Sequence, residues 1–254
     1  MLEREQVEVD KVEDKMAELR DILKKADRVA VLTGAGISAE SGVPTFRGDD
    51  GLWQNYRATD LATPQAFARD PELVWKFYNW RRDLVSKVTH NPAHRALVVL
   101  EGLIKNLTII TQNVDGLHLL AGSRNVIEIH GNLWKVRCTK CHEITLDRSP
   151  DLGKLPKCKS CGSLLRPHVV WFGEALDPDV LGQAVDVSRN CQAMLVIGTS
   201  SIVQPAASLA LEAQSAGAVL AEINLESTPH SRFMDFTFHG KAGDIVPRLV
   251  EGWE

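Results

Sequence analysis

Apolar residues fall into short unbroken runs separated by stretches of helical period. Arg28-Val29-Ala30-Val31-Leu32-Thr33 is the first run, and similar ones cover 107–111, 126–129, 193–197 and 218–223. Runs of four to six residues without polar alternation predict strands buried on both faces, as in a parallel sheet. Between them, Val12, Met16, Leu19, Leu23 and Ala26 recur at helical spacing, so 12–26 reads as an amphipathic helix and the first eleven residues as a solvated tail. Residues 73–88 predict a second helix with Val74, Phe77, Tyr78, Arg81 and Val85 near one face. Asn91-Pro92 supplies a cap and a first-turn proline for a helix over 92–105, and another is expected near 206–216. This alternation predicts an α/β fold: a Rossmann-like, mostly parallel sheet with helices on both faces. Polar clusters follow the carboxyl ends of the strands, where open sheets of this kind bind ligands.

The first such cluster is a glycine turn. Gly34, Gly36 and Ala39 fit G-x-G-x-x-G/A after a strand, a pattern in which backbone N–H groups approach a pyrophosphate at a helix start. Gly42 and Pro44 then break the helix early, and Thr45-Phe46-Arg47 stands where a second strand and a ribose-binding acid are expected. After the run at 107–111 come Gln112, Asn113 and Asp115, whose amides and carboxylate suit ribose hydroxyls and a carboxamide. A polar turn capped by Asn and Asp uses the same residues. His130 closes the run at 126–129, where a neutral imidazole can take a proton near pH 7 or serve only as a structural side chain.

Four of the five cysteines form the pairs Cys138-x-x-Cys141 and Cys158-x-x-Cys161, with sixteen residues between the pairs. This is zinc-ribbon spacing, and four thiolates leave no open coordination position, so one structural Zn2+ is expected in a small inserted module. His142 is then unnecessary as a ligand, and Cys191, alone among apolar neighbours, reads as a buried small hydrophobe. The formal net charge of −4 gives no basic footprint for nucleic acid. Nor does any apolar run approach the ~20 residues of a membrane span. The N-terminal stretch is rich in acids (Glu3, Glu5, Glu8, Asp10, Glu13, Asp14), unlike a secretory or mitochondrial leader, so a cytoplasmic protein is expected; a monomer is expected as well.

The block Gly34 to Gly48 resembles the signature of the sirtuins, NAD-dependent protein-lysine deacylases, and Thr111-Gln-Asn-Val-Asp-Gly-Leu-His118 resembles their second motif. The resemblance continues in order through Glu128-Ile-His-Gly131, His168 to Glu174, Gly198-Thr199-Ser200, Val203-x-Pro205, Asn224 with Glu226, and Lys241 to Asp244. It implies NAD as a consumed co-substrate held by Gly34, Ala35, Gly36, Glu40, Thr45, Phe46, Arg47, Trp53, Gln112, Asn113, Asp115, Gly198, Thr199, Ser200, Asn224, Glu226 and Ala242. His130 would be the general base activating a ribose hydroxyl, with Asn113 and Asp115 positioning NAD and water. The products would be free lysine, nicotinamide and O-acyl-ADP-ribose. The acyl-lysine peptide would add as a strand along Val170, Phe172 and Gly173, with Val203 also in contact. Residues 12–47, 86–133 and 166–254 would form a discontinuous NAD-binding domain, 48–85 the cofactor loop and a helical module, and 134–165 the zinc-binding module.

Tyr78 and Arg81 lie three apart on a helix, and a phenol with a guanidinium fork suits a carboxylate. The pair resembles that of the class III sirtuins, which remove succinyl, malonyl and glutaryl groups, and Ala62 is small where a wider acyl pocket needs it. Arg82, four residues from Tyr78, satisfies the same geometry, and a core tyrosine beside a surface arginine is the plain alternative. Rival readings are a deacetylase, a mono-ADP-ribosyltransferase or NAD hydrolase using the same nicotinamide-releasing half-reaction, and a non-catalytic NAD-responsive module. A dehydrogenase fits poorly, because the glycine unit breaks after Gly42.

Overall fold

The computed structural model describes residues 2–44, 52–53 and 56–253. In chain order the strands are β1 (Arg28–Thr33), β2 (Leu52–Trp53), β3 (Tyr56–Arg57), β4 (Asn106–Thr111), β5 (Val126–Glu128), β6 (Gly131–Cys138), β7 (Ile144–Leu146), β8 (Leu165–Val169), β9 (Ala193–Ile197), β10 (Val219–Asn224) and β11 (Phe236–His239). The α-helices are α1 (Leu2–Lys25), α2 (Gly36–Ala39), α3 (Ala58–Leu61), α4 (Pro64–Arg69), α5 (Pro71–Ser86), α6 (Pro92–Leu103), α7 (Leu117–Ala121), α8 (Pro178–Asn190), α9 (Ser208–Ser215) and α10 (Ala242–Ile245).

Six strands form one sheet in the order β11-β10-β9-β1-β4-β5, and every pairing in it is parallel. Strand side chains alternate between faces, so the apolar runs feed two cores at once. Val29 and Val31 of β1, with Ile109 and Leu195, face α1 and α6. Ala30 and Leu32, with Ile110, Met194 and Val196, face α8 and α9. A third cluster joins Val74, Trp75, Phe77 and Tyr78 of α5 to Leu133, Trp134 and Val136 of β6 and to Val169 and Trp171. It lies beside the second sheet, an antiparallel β7-β6-β8 ribbon. Helices α4, α5 and α6 each begin with proline behind a polar cap: Thr63, Asp70 and Asn91 accept from the N–H groups of Ala66, Leu73 and Ala93.

The N-terminus corrects the sequence reading. The expected tail is helical from Leu2, and α1 is one continuous helix to Lys25. Its first half lacks a periodic apolar stripe, but it is rich in Glu and contains no Gly or Pro, so its intrinsic propensity is high. Met16, Leu19 and Leu23 are fully buried as anticipated, each worth about 1.5–3 kcal/mol of burial. Val12, placed on the same stripe, is 40% exposed. It lies one turn before Met16, in a stretch (11–15) where every side chain is exposed.

Candidate active site

The order of the large sheet reverses between β1 and β9: the chain runs outward through β4 and β5, then returns to β9, β10 and β11. At such a switch point the two adjacent loops leave the strand ends in opposite directions and open a crevice. Here the crevice floor is backbone against backbone. Gly34 donates its N–H to the Ile197 carbonyl at 3.1 Å, and Gly36 donates to the Gly198 carbonyl at 2.8 Å. A Cβ on Gly36 would meet the Gly198 Cα at 2.7 Å, and one on Gly198 would meet the Ile37 nitrogen at 2.4 Å. Gly198 also has φ +59°, so both loops depend on glycine for space, and this one for conformation as well.

A polar chain is built on that floor. The Asn113 amide donates to the Gly34 carbonyl (3.0 Å) and to Ser38 Oγ (3.1 Å), and the Ser38 hydroxyl in turn hydrogen-bonds the Asp115 carboxylate. With both amide protons of Asn113 engaged, its carbonyl oxygen is what it can offer a ligand. Burial raises the Asp115 carboxyl above the usual range, against the hydrogen bonds from Leu117 and Ser38 and the charge of Arg81. Gln112 Nε2 donates to Thr199 Oγ1 (2.9 Å), which also accepts from the Ser201 N–H. The Thr199 hydroxyl proton is therefore available to a ligand.

His130 sits where β5 ends and β6 begins. Its Nδ1 lies 3.0 Å from the Gln112 carbonyl, a group that only accepts, so Nδ1 carries the proton and Nε2 presents a lone pair. Burial holds the imidazole below its ordinary pKa, partly offset by that hydrogen bond. The ring is therefore neutral at neutral pH and already in the tautomer of a base.

One wall comes from α3 and α5. Tyr78 is buried, and its Oη accepts the indole proton of Trp171 at 2.9 Å. Burial pushes the phenol up to about 12, against the Arg81 charge and the Trp171 bond, so it stays protonated. Arg81 is half-buried, with its guanidinium 5.9 Å from the Phe77 ring, and burial lowers its pKa against the pull of Tyr78 and Asp115. Arg82 points elsewhere. It is 1% exposed and donates to the carbonyls of Leu133, Asp147 and Ser149, tying α5 to the ribbon. The carbonyl of Ala62 accepts from the Phe172 N–H (2.9 Å), and that of His130 from the Val170 N–H (2.9 Å). The 168–174 segment is thereby fastened at two points to the crevice. Phe172 remains 47% exposed, and Gly173, also exposed, has φ +86°.

The four sulfurs of Cys138, Cys141, Cys158 and Cys161 lie within 4.8 Å of one another. The Cys138–Cys161 and Cys141–Cys158 separations are 3.4 and 3.7 Å. Tetrahedral Zn–S bonds of about 2.3 Å require sulfurs about 3.8 Å apart, so the set fits one structural zinc ion. His142 (φ +60°) and Gly162 (φ +71°) occupy the same left-handed position after the second cysteine of each pair. His142 thus serves the turn, and the four thiols complete the ligand set. Cys191 is buried, its thiol held up at about 11 by that burial.

The remaining predicted residues are spread around the rim. Thr45, Phe46 and Arg47 lie outside the described residues, and Trp53 falls in β2. Ala35 caps α2, and Ser200 follows Thr199 in the β9 loop. Asn224, at the end of β10, donates to the Thr199 carbonyl (2.9 Å), joining the two loops. Glu226 and Val203 are exposed beyond them. Glu40 spends its carboxylate on the Gly243 N–H (2.8 Å), which fixes α10, with buried Ala242, against α2. That contact gives Glu40 a place in the framework. Two participants went unassigned in the sequence: Ser38, inside the glycine block, and Trp171, between two residues that were assigned.

The Sir2 family profile matches residues 34–205. An NAD-dependent protein deacylase of Pyrococcus furiosus is 50% identical over 244 residues, covering 93% of this chain and 97% of its own. The mitochondrial NAD-dependent protein deacylase sirtuin-5 of Danio rerio is 45% identical over 262 residues, with 92% of this chain and 86% of its own covered. A crystal structure of a Sir2 homologue in complex with NAD has a TM-score of 0.88 at 50% identity, covering 93% of each chain. With the glycine loops, the switch-point crevice and the four-cysteine ribbon all lying inside these matches, the chain belongs to the Sir2 family.

Proposed function

We propose that this chain is an NAD-dependent protein-lysine deacylase that favours acyl groups ending in a carboxylate, succinyl and malonyl over acetyl. The observation that carries the preference is the Tyr78–Trp171 hydrogen bond beside Arg81. The indole nitrogen can only donate, so the phenol oxygen accepts there and keeps its own proton for an anion. A buried neutral donor next to a guanidinium is a receptor for a carboxylate that acetyl lacks.

The donors and acceptors of the crevice fit NAD, whose ribose would take the acyl group and release nicotinamide. Gln112, Asn113 and Asp115 would orient that end, Thr199, Ser200 and Asn224 the phosphates and the second ribose. His130 Nε2, neutral and preset by the Gln112 carbonyl, would receive the proton of a ribose hydroxyl. The peptide would lie along the segment at Val170, Phe172 and Gly173, adding its backbone as a strand.

Mass-spectrometric turnover of matched acetyl- and succinyl-lysine peptides, with and without NAD, tests this reading. Strictly NAD-dependent loss of succinyl, faster than loss of acetyl and with O-succinyl-ADP-ribose formed, is expected. Faster loss of acetyl would return Tyr78 and Arg81 to packing roles. Nicotinamide release without deacylation of either peptide would favour an ADP-ribosyltransferase or NAD hydrolase.

A further inference from the structure

Trp171 lies within the segment read as the peptide-binding edge, yet its side chain is buried in the protein interior. It is 3% exposed and is restrained on every side. The Arg166 guanidinium stacks 3.4 Å from its ring centroid, and Phe67 packs at 5.2 Å between centroids. Its main-chain N–H donates to Glu174 Oε2 at 2.9 Å. Glu174 and Arg166 close a two-pronged ion pair at 2.6 and 2.9 Å, so both partners of Trp171 are themselves fixed. The outcome of this scaffold is one directed contact, from the indole N–H to Tyr78 Oη.

A phenol has one proton and can either donate or waste it. Without a donor at its oxygen, Tyr78 would be free to rotate its proton toward any nearby carbonyl and to accept from Arg81 instead. With the indole in place, the accepting role is filled and the proton is left for the acyl pocket. Hydrogen bonds in series also polarise one another, which strengthens the outgoing one. We propose that Trp171 is a positioning residue for acyl selection: held by Arg166, Glu174 and Phe67, it orients the Tyr78 hydroxyl to donate to the acyl carboxylate. This rests on the carboxylate-acyl reading given above. It adds that the peptide edge and the acyl pocket share one rigid side chain, so a shift of the edge is felt at the selectivity contact.

The test compares KM for succinyl- and acetyl-lysine peptides in zinc-loaded enzyme bearing Tyr78→Phe, Trp171→Phe, or both. Trp171→Phe should raise the succinyl-to-acetyl KM ratio about fivefold, the size of one neutral hydrogen bond, with little change in the ratio of kcat values. In the Tyr78→Phe background the same change should add nothing to the ratio, because the relayed group is gone. Replacing Trp171 by benzothienylalanine, which keeps the ring shape and exchanges N–H for sulfur, separates the hydrogen bond from packing and should give the same shift. An unchanged ratio in the benzothienyl enzyme, or additive effects in the double variant, would overturn the role of Trp171. If Tyr78→Phe itself fails to alter the ratio, the carboxylate-acyl reading falls first and takes this inference with it.

Discussion

His94 and His118 make folding stability depend steeply on mild acid. His94 stands in the first turn of α6 and His118 in α7, both buried, with ring centroids 4.9 Å apart. His94 Nδ1 accepts the Asn91 N–H, and His118 Nε2 is 3.0 Å from Thr33 Oγ1. A proton added to either ring places a cation in an apolar interior. Burial lowers His94 to about 3, helped by repulsion from His118 and His90, and lowers His118 to about 4, both from 6.5. The folded pKa values lie below the unfolded ones, so the unfolded chain takes up protons first as pH falls. Stability is complete above pH 6.5 and is lost progressively toward pH 4 and below. Each histidine contributes a slope of about 1.4 kcal/mol per pH unit in that window, and the pair removes about 4 kcal/mol by pH 5. That is a large part of the roughly 5–15 kcal/mol of a typical domain. His94→Gln removes one titrating ring while a Gln at this helix position can still reach back to the Asn91 N–H. Urea unfolding of both proteins between pH 8 and 5 gives the slopes directly. The variant should be shallower by about 1.4 kcal/mol per unit below pH 6. His130 and His168, also lowered by burial, contribute equally to both proteins and cancel in the difference. Superimposable slopes would show that the buried pair does not control acid sensitivity.

Three further outcomes are expected. His130→Ala should reduce deacylation by 10²-fold or more, within the range of about 10²–10⁴ for loss of a general base, with an unchanged melting temperature. In the unsubstituted enzyme the acid limb of kcat/KM should lie below pH 6.5, since the folded imidazole is shifted down; a limb above that value contradicts the assigned base. Arg81→Met should raise KM for succinyl-lysine by at least tenfold, about 1.4 kcal/mol, while changing acetyl-lysine far less. Peptide titrations decide this, and equal effects on both exclude a carboxylate clamp. Stripping zinc should unfold the ribbon tip around the four cysteines, seen as protease cleavage between 138 and 163, because the metal joins its two turns. A ribbon that stays protease-resistant after complete chelation has no structural need for the ion.

The parallel sheet was legible because its inner strands β10, β9, β1 and β4 are largely apolar runs buried on both faces, a signal that survives without partners. The helices were legible only where their contacts are periodic. α8 fully encloses only Ala184 and Ser188; its apolar face, with Val180, Val185 and Val187, is periodic but only partly buried, and the sequence reading passed over it. β11 is four residues long and alternates Phe with polar side chains, below the length at which a strand stands out. In the crevice, sequence placed Gln112, Asn113, Asp115 and His130 at strand ends because those motifs are local. It could not show that Asn113 spends both amide protons on Gly34 and Ser38, or that Glu40 reaches Gly243 across 203 positions. The Trp171–Tyr78 bond spans 93 positions and leaves no spacing pattern. Such contacts are products of packing, and neither partner's identity announces the other.

The glycine contact between the β1 and β9 loops has a bearing on transplanting this crevice to another scaffold. Neither loop is a self-sufficient module, since each uses the missing side chain of the other as its own free volume. A graft that carries Gly34 to Gly36 alone would meet a foreign Cβ at the position of Gly198 and be driven off the strand end. The two segments, more than 160 positions apart in the chain, therefore form a single inheritable part, and a redesign has to move them together or leave both behind.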